Sequence, residues 1–343
     1  MNPLRSLILA AAGNDTVKKL VATAPVSRDV VRRFVAGEST DDAVRVTREL
    51  VGAGLTVTLD HLGEDTTRRS HAEAVVQAYL EVLDRLHAVG LIGDGLTGDG
   101  PAGDSPAADG LAGDGLAGDG LAGDGLAGRV EVSVKLSAVG QALDEALALQ
   151  NASRICAAAE QCGTTVTLDM EDHTTTDSTL RVLHELRRTW PTTGAVLQSY
   201  LRRTLDDCRA LAGEGLRIRL CKGAYAEPAD VAFDDTHDVD LNYVRCANVL
   251  LAGEGYPMFA THDPRLIDII AERAHWYGRK QGSYEYQMLY GIRPDEQRRL
   301  AGLGETVRVY LPYGTEWYGY LMRRLAERPA NTTFFLRSLV STR

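Results

Sequence analysis

Residues 130–170 read VEVSVKLSAVGQALDEALALQNASRICAAAEQCGTTVTLDM. Val130–Leu136 alternates apolar and polar residues at strand spacing, Leu143–Cys162 carries its apolar residues at helical spacing, and Thr165–Met170 alternates again. Strand, helix and strand in that order form a βα unit of a parallel sheet. The same alternation extends outward. Strands are predicted at Leu55–Leu59, Ala195–Ser199, Leu216–Cys221, Met258–Thr261, Tyr284–Leu289 and Val307–Tyr310. Helical patterns include His71–Val89, Thr179–Trp190, Leu201–Leu211, Pro264–Trp276 and Thr315–Glu327. Eight strand–helix pairs fit a closed (β/α)8 TIM barrel over residues 55–343 better than an open doubly wound sheet. No GxGxxG follows the first strand, which argues against a dinucleotide-binding Rossmann domain. Residues 1–54 read as an N-terminal helical extension, with Thr40 and Asp41 as capping positions before Ala43–Val51.

Side chains alternate along a strand, so each strand sends one set to the helices and one into the barrel. In the second strand Val130, Val132, Val134 and Leu136 form the apolar set, leaving Glu131, Ser133, Lys135 and Ser137 to point inward. The first strand likewise offers Thr56, Thr58 and Asp60, the third Thr165, Thr167 and Asp169, and the fifth Arg217, Arg219 and Cys221. Such interiors are usually filled by Val, Ile and Leu. Charges in that place must be paired or bound to something, and a polar ligand at the C-terminal mouth completes them. Lys135, Asp169 and Arg219 fall near three strand ends, where barrel active sites are built. A plain buried ion pair is the competing reading for Lys135 and Asp169. His262 follows the sixth strand in FATHD, where a structural or capping role competes. Cys221 has no nearby His–Asn pattern and reads as packing. In the last helix, Tyr320-Leu-Met-Arg323-Arg324 offers two guanidinium groups about 100° apart. Either one pairs with Glu327 on a solvated face, or the two clamp one small carboxylate, with Tyr310 and Tyr320 closing the pocket.

Composition narrows the function. The chain has 343 residues, of which 44% are hydrophobic and 24% charged, and 37 Lys plus Arg face 47 Asp plus Glu. A net charge of −10 argues against nucleic acid as the main partner. The five cysteines show no CxxC pair and no spacing suited to zinc, so reduced thiols, no metal site and a cytoplasmic location are expected. The apolar run Leu7–Ala12 is far short of the ~20 residues of a membrane span. Residues 93–128 stand apart as a Gly/Asp-rich low-complexity insert, with aspartate at every fifth position from Asp94 to Asp124. That period suits neither helix nor strand, and a flexible acidic linker is favoured over a calcium-binding repeat. Loop closure grows only logarithmically with length. Shortening the insert to a few residues is therefore expected to preserve the fold and its stability, with calcium leaving the melting temperature unchanged; a rise of several degrees with calcium would refute this.

In SVKLSAVG (133–140), TLDMED (167–172), RLCKGAY (219–225), FATHD (259–263), YEYQMLYG (284–291) and the YLMRRL of the last helix, the chain resembles proline dehydrogenase in its monofunctional bacterial form. The match rests on the order and spacing of these motifs at strand ends. The resemblance implies a distorted barrel with the final helix over its mouth, FAD as cofactor and L-proline as substrate. It further implies hydride transfer from proline C5 to the flavin, giving Δ1-pyrroline-5-carboxylate, and electrons passed on to a membrane quinone. By this resemblance Asp169 and Arg219 are catalytic. Lys135, Tyr310, Tyr320, Arg323 and Arg324 bind substrate, and Met170, Gln198, Arg219, Lys222, Gly223, Ala224, Thr261 and His262 contact the cofactor. A separate pyrroline-5-carboxylate dehydrogenase is the implied downstream partner, and contact with the inner face of the membrane stays open. Two other classes compete: a Schiff-base lyase using Lys135 or Lys222 as its amine, and a non-catalytic binding protein that uses the repeat.

Overall fold

A computed structural model describes residues 31–93 and 128–327, with side chains as far as Arg324. The Gly/Asp repeat and residues 1–30 lie outside the described residues. The eight strands are β1 (Thr56–His61), β2 (Val130–Val134), β3 (Val166–Leu168), β4 (Gly194–Gln198), β5 (Arg217–Cys221), β6 (Tyr256–Ala260), β7 (Glu285–Leu289) and β8 (Val307–Tyr313). They close in sequential order into one parallel barrel. The helices are α1 (Thr40–Gly52), α2 (Arg69–Ala88), α3 (Glu145–Gln161), α4 (Thr176–Arg187), α5 (Thr204–Leu211), α6 (Thr236–Ala252), α7 (Pro264–Trp276), α8 (Pro294–Gly302) and α9 (Trp317–Glu327).

Four of the nine helix starts among the described residues carry a side-chain cap. Asp144, Asp235 and Asp263 each turn a side-chain oxygen onto the backbone N–H two residues on, satisfying a donor that the first helical turn leaves without a partner. Pro264 adds a pre-set φ to the first turn of α7. At α1 the cap is Ser39, one residue before the expected Thr40, because the Ser39 hydroxyl reaches the Asp42 N–H at 3.2 Å. Ala43, Val44 and Val46 of α1 are buried in the barrel's main core, and Arg85 of α2 meets Asp41 at 2.6 Å.

The outward sets behave as their alternation predicts: Val57, Leu59, Val130, Val132, Val134, Val166, Leu168, Ile218 and Leu220 all join the core shared with the helices. The inward sets are stacked by register. Thr58 pairs with Glu131 and Asp60 with Ser133 across β1 and β2, Ser133 pairs with Thr167 across β2 and β3, and Gln287 pairs with Arg308 across β7 and β8. A lower polar layer of Glu131, Arg217, Glu285 and Arg308 thus lies beneath an upper one at the mouth. Arg217 donates to Glu131 at 2.5 Å and Arg308 to Glu285 at 2.7 Å, all four side chains being almost wholly buried. The neighbouring guanidinium groups hold Glu131 below the usual carboxylate range despite the opposing effect of burial.

Candidate active site

The mouth opens into a cavity of about 630 Å³. Its floor is an alternating charge cluster. Lys135 Nζ lies 2.7 Å from both Asp60 oxygens and 3.7 Å from Asp169 Oδ2. Asp169 Oδ1 accepts from Arg219 Nη1 at 2.6 Å and from the Ser133 hydroxyl at 2.7 Å. Its other oxygen accepts from the Tyr310 hydroxyl at 2.6 Å. The Arg219 guanidinium carbon sits 5.2 Å from the Tyr310 ring centre. The competing ion-pair reading is thus partly realised, with a different first partner: Asp60, not Asp169, holds Lys135.

Electrostatics separates the two carboxyls. Burial and the nearby Asp169 push Asp60 up, with Lys135 opposing them. For Asp169, burial is outweighed by Arg219, Lys135 and the Tyr310 and Ser133 hydroxyls, and its pKa falls below the usual value. Burial would lower Lys135, yet Asp60 and Asp169 raise it to about 12. This ammonium stays protonated at neutral pH.

Over the floor stands α9. Arg323 and Arg324 both face the cavity, as does Tyr320. Arg323 Nη1 donates to Glu64 Oε1 at 2.5 Å, and the Arg324 guanidinium stacks 5.1 Å from the Tyr320 ring centre. The wall after β5 carries Lys222, Gly223 and Ala224. Gly223 has φ +109, and a Cβ there would lie 2.2 Å from the Tyr200 ring, so only glycine lets the backbone turn here. Lys222 meets Asp240 at 2.6 Å and Asp263 at 3.4 Å. His262 Nε2 accepts from the Leu289 N–H at 2.9 Å, which puts the ring proton of the neutral form on Nδ1. Gln198 donates to the Glu171 carbonyl at 2.7 Å. Burial raises the Cys221 thiol to about 12, in keeping with packing rather than nucleophilic use.

Every site residue named from the sequence lines this one cavity: Lys135, Asp169, Met170, Gln198, Arg219, Lys222, Gly223, Ala224, Thr261, His262, Tyr310, Tyr320, Arg323 and Arg324. The sequence reading did not assign Asp60, Tyr225, Asp263 or Gln287 to the site, and all four line it. It also passed over Glu64, the partner of Arg323. Asp60 and Gln287 were within reach, since both sit at inward positions of their strands. Glu64 lies in a loop after β1 and carries no local signal. Among the described residues there is no group of three or more His, Cys, Asp or Glu that could hold a metal ion.

Residues 43–337 match the family model described as proline dehydrogenase. The chain is 37% identical to "Proline dehydrogenase" of Deinococcus radiodurans over 317 residues, covering 91% of this chain and 90% of that one. It is 33% identical to "Proline dehydrogenase 1" of Bacillus subtilis over 337 residues, covering 98% and 99%. Among solved structures, proline utilization A from Bdellovibrio bacteriovorus, inactivated by N-propargylglycine, superposes with a TM-score of 0.74 at 23% identity. That match covers 96% of this chain and 35% of the other, and it speaks to the fold.

Proposed function

Because the chain belongs to the proline dehydrogenase family and so oxidises L-proline in the first step of proline degradation, we propose that FAD and proline share the cavity at the barrel mouth. The observation that carries this reading is the pair of α9 guanidinium groups facing the same cavity as Arg219 and Asp169. The residues present suit the cofactor: the volume falls in the range of about 300–1,000 Å³ typical of cofactor sites, and the glycine turn at Gly223 brings backbone to the wall beside Lys222. Gln198, Lys222, Gly223, Ala224, Thr261, His262 and Met170 would hold it. FAD held there would supply the hydride acceptor, with a quinone as the class of final electron acceptor.

The chain's own residues set the reaction up. Arg323 and Arg324 take the substrate carboxylate, a charge-assisted contact that fixes the ring and orients C5. Arg219 places a permanent positive charge at the floor, where negative charge gathers as substrate is oxidised. Asp169, held by three donors with Lys135 3.7 Å away, keeps Arg219 and Tyr310 in place. Tyr320 and α9 keep water out of the mouth. The product, Δ1-pyrroline-5-carboxylate, passes to a separate dehydrogenase, and we place the chain in the cytoplasm, meeting the membrane where quinone is reduced. Among the described residues no helix is long and apolar enough to cross a membrane.

The decisive test is anaerobic addition of proline to the purified, flavin-loaded chain: the flavin absorbance should bleach, and a fully oxidised spectrum would refute the assignment. The Schiff-base reading finds no support in the amines. Lys135 is held protonated by two carboxylates, and Lys222 is engaged by Asp240 and Asp263. Borohydride with substrate should leave the mass of the protein unchanged. Tyr310, its ring pinned between Asp169 and Arg219, should also exclude a C4 hydroxyl. We expect a lower kcat/KM for 4-hydroxyproline than for proline, and Tyr310→Ser should narrow that ratio by about tenfold, a size typical of a pocket contact. Equal values for the two substrates in the unmodified enzyme would remove the steric argument.

A further inference from the structure

Arg219 is gripped from two sides. On one side its Nη1 donates to Asp169 Oδ1 at 2.6 Å and to the Ser133 hydroxyl at 3.0 Å. On the other its Nε donates to Gln287 Oε1 at 2.5 Å. Gln287 in turn donates from Nε2 to Glu285 Oε1 at 2.6 Å. Glu285 is fixed by Arg308 Nε at 2.7 Å and by the Tyr256 hydroxyl at 3.2 Å. The remaining guanidinium nitrogen, Nη2, lies 3.7 Å from Glu131 Oε1.

The chemistry of this chain runs in one direction. Guanidinium groups only donate and carboxylates only accept, so a donor such as Arg219 needs an acceptor below it, and Glu285 needs a donor above it. A carboxamide is the side chain that offers both. Because Glu285 accepts from the amide nitrogen, the amide oxygen can only face Arg219, and the rotamer of Gln287 is settled by the layer beneath. All members are buried, Gln287 at 2% and Glu285 and Arg308 at 0% exposure. Water does not readily substitute for a missing bond there.

We propose that Gln287, anchored by Glu285, is a positioning residue that fixes the plane of the Arg219 guanidinium for proline oxidation. This rests on the reading of Arg219 as a catalytic group under the proposed function. Without Gln287, Arg219 keeps its Asp169 contact and can swing about it, so the positive charge remains in the site in the wrong orientation. The loss then falls on turnover rather than on proline binding, which α9 supplies.

The experiment is a double-mutant cycle on the flavin-loaded enzyme, with kcat, KM for proline, bound flavin and melting temperature read for each protein. Gln287→Met is expected to lower kcat at least tenfold, with KM changed less than threefold and flavin retained. In an Arg219→Met background the same change should lower kcat by less than twofold more, because a residue acting through Arg219 has nothing left to position. Independent, multiplying losses would overturn the proposal, as would an unchanged kcat in Gln287→Met. Gln287→Asn, whose amide is one methylene too short to span both partners, should repeat the result without adding an apolar atom. Loss of flavin from both Gln287 variants but not from Arg219→Met would also overturn it, since acting through Arg219 cannot cost more than losing Arg219. Failure of the unmodified enzyme to oxidise proline would instead sink the functional reading, which is a separate outcome.

Discussion

Replacing Asp169 by asparagine is expected to lower kcat/KM for proline at least a hundredfold while the barrel stays folded. Asp169 accepts from Arg219, Ser133 and Tyr310 and lies 3.7 Å from Lys135. An amide is almost the same size, yet it has one accepting oxygen where the carboxylate has two. Whichever way it turns, an N–H faces either the Arg219 guanidinium or the Tyr310 hydroxyl. Arg219 also loses its nearest counter-charge in a buried setting, and removing one partner of a buried pair costs about 3–5 kcal/mol. Even about 3 kcal/mol expressed in the reacting complex amounts to a hundredfold. Stopped-flow reduction of the flavin by proline measures it directly, and a variant within threefold of the unmodified rate would show that Asp169 does not organise the floor.

The arrangement that makes this site was partly legible because parity along a strand is local. Knowing that Val132 and Val134 face the helices is enough to turn Ser133 and Lys135 inward, whatever the neighbouring strands do. Pairings between strands are not local. That Asp60 rather than Asp169 is the first partner of Lys135 depends on the β1–β2 register, which sets Asp60 beside Ser133, and no residue of either strand announces it. Glu64 and Arg323 are 259 positions apart and meet only because α9 folds back over the mouth. The direct β-ladder was shorter than alternation suggested in β3, which stops at Leu168 although the pattern continues to Met170. Its pairing with β4 is confined to Thr167 and Leu168, although the Asp169 N–H still donates to the Val134 carbonyl of β2 at 2.9 Å. In β8 the opposite holds: pairing with β1 continues to Tyr313, three residues beyond the predicted end. Tyr310 is therefore held inside a regular strand and not on a loop.

The lower layer explains why such polar walls persist inside a barrel. A buried ion network is weak evidence for stability, since well-packed apolar residues of similar volume often do as well. Glu131, Arg217, Glu285 and Arg308 therefore contribute more through orientation than through net binding of one another. Each carboxylate of this layer reaches toward Arg219, Glu285 through Gln287 and Glu131 at 3.7 Å. The Arg219 guanidinium is thus supported from below by this layer as well as from the side by Asp169.

Arg324→Met should raise KM for proline at least tenfold with flavin still bound and kcat reduced by a smaller factor. The two α9 arginines are not equivalent. Arg323 already holds the Glu64 carboxylate at 2.5 Å, and burial, which would lower its pKa, is outweighed by Glu64. Any substrate carboxylate reaching Arg323 competes with Glu64. Arg324 lies against the face of Tyr320, with its guanidinium carbon 5.1 Å from the ring centre. Arg324 lines the cavity beside Arg323, and a charge-assisted contact from it to the substrate carboxylate is worth about 1.5–3 kcal/mol, or roughly ten- to a hundredfold in affinity. Methionine keeps an unbranched side chain against Tyr320, so the loss is of charge rather than of packing. Since the carboxylate is bound alike before and during hydride loss, the effect belongs mainly in KM. Steady-state kinetics over a wide proline range, with the flavin spectrum as control, decides it. An Arg324→Met enzyme with an unchanged KM would move the clamp to Arg323 and require Glu64 to release it on every turnover.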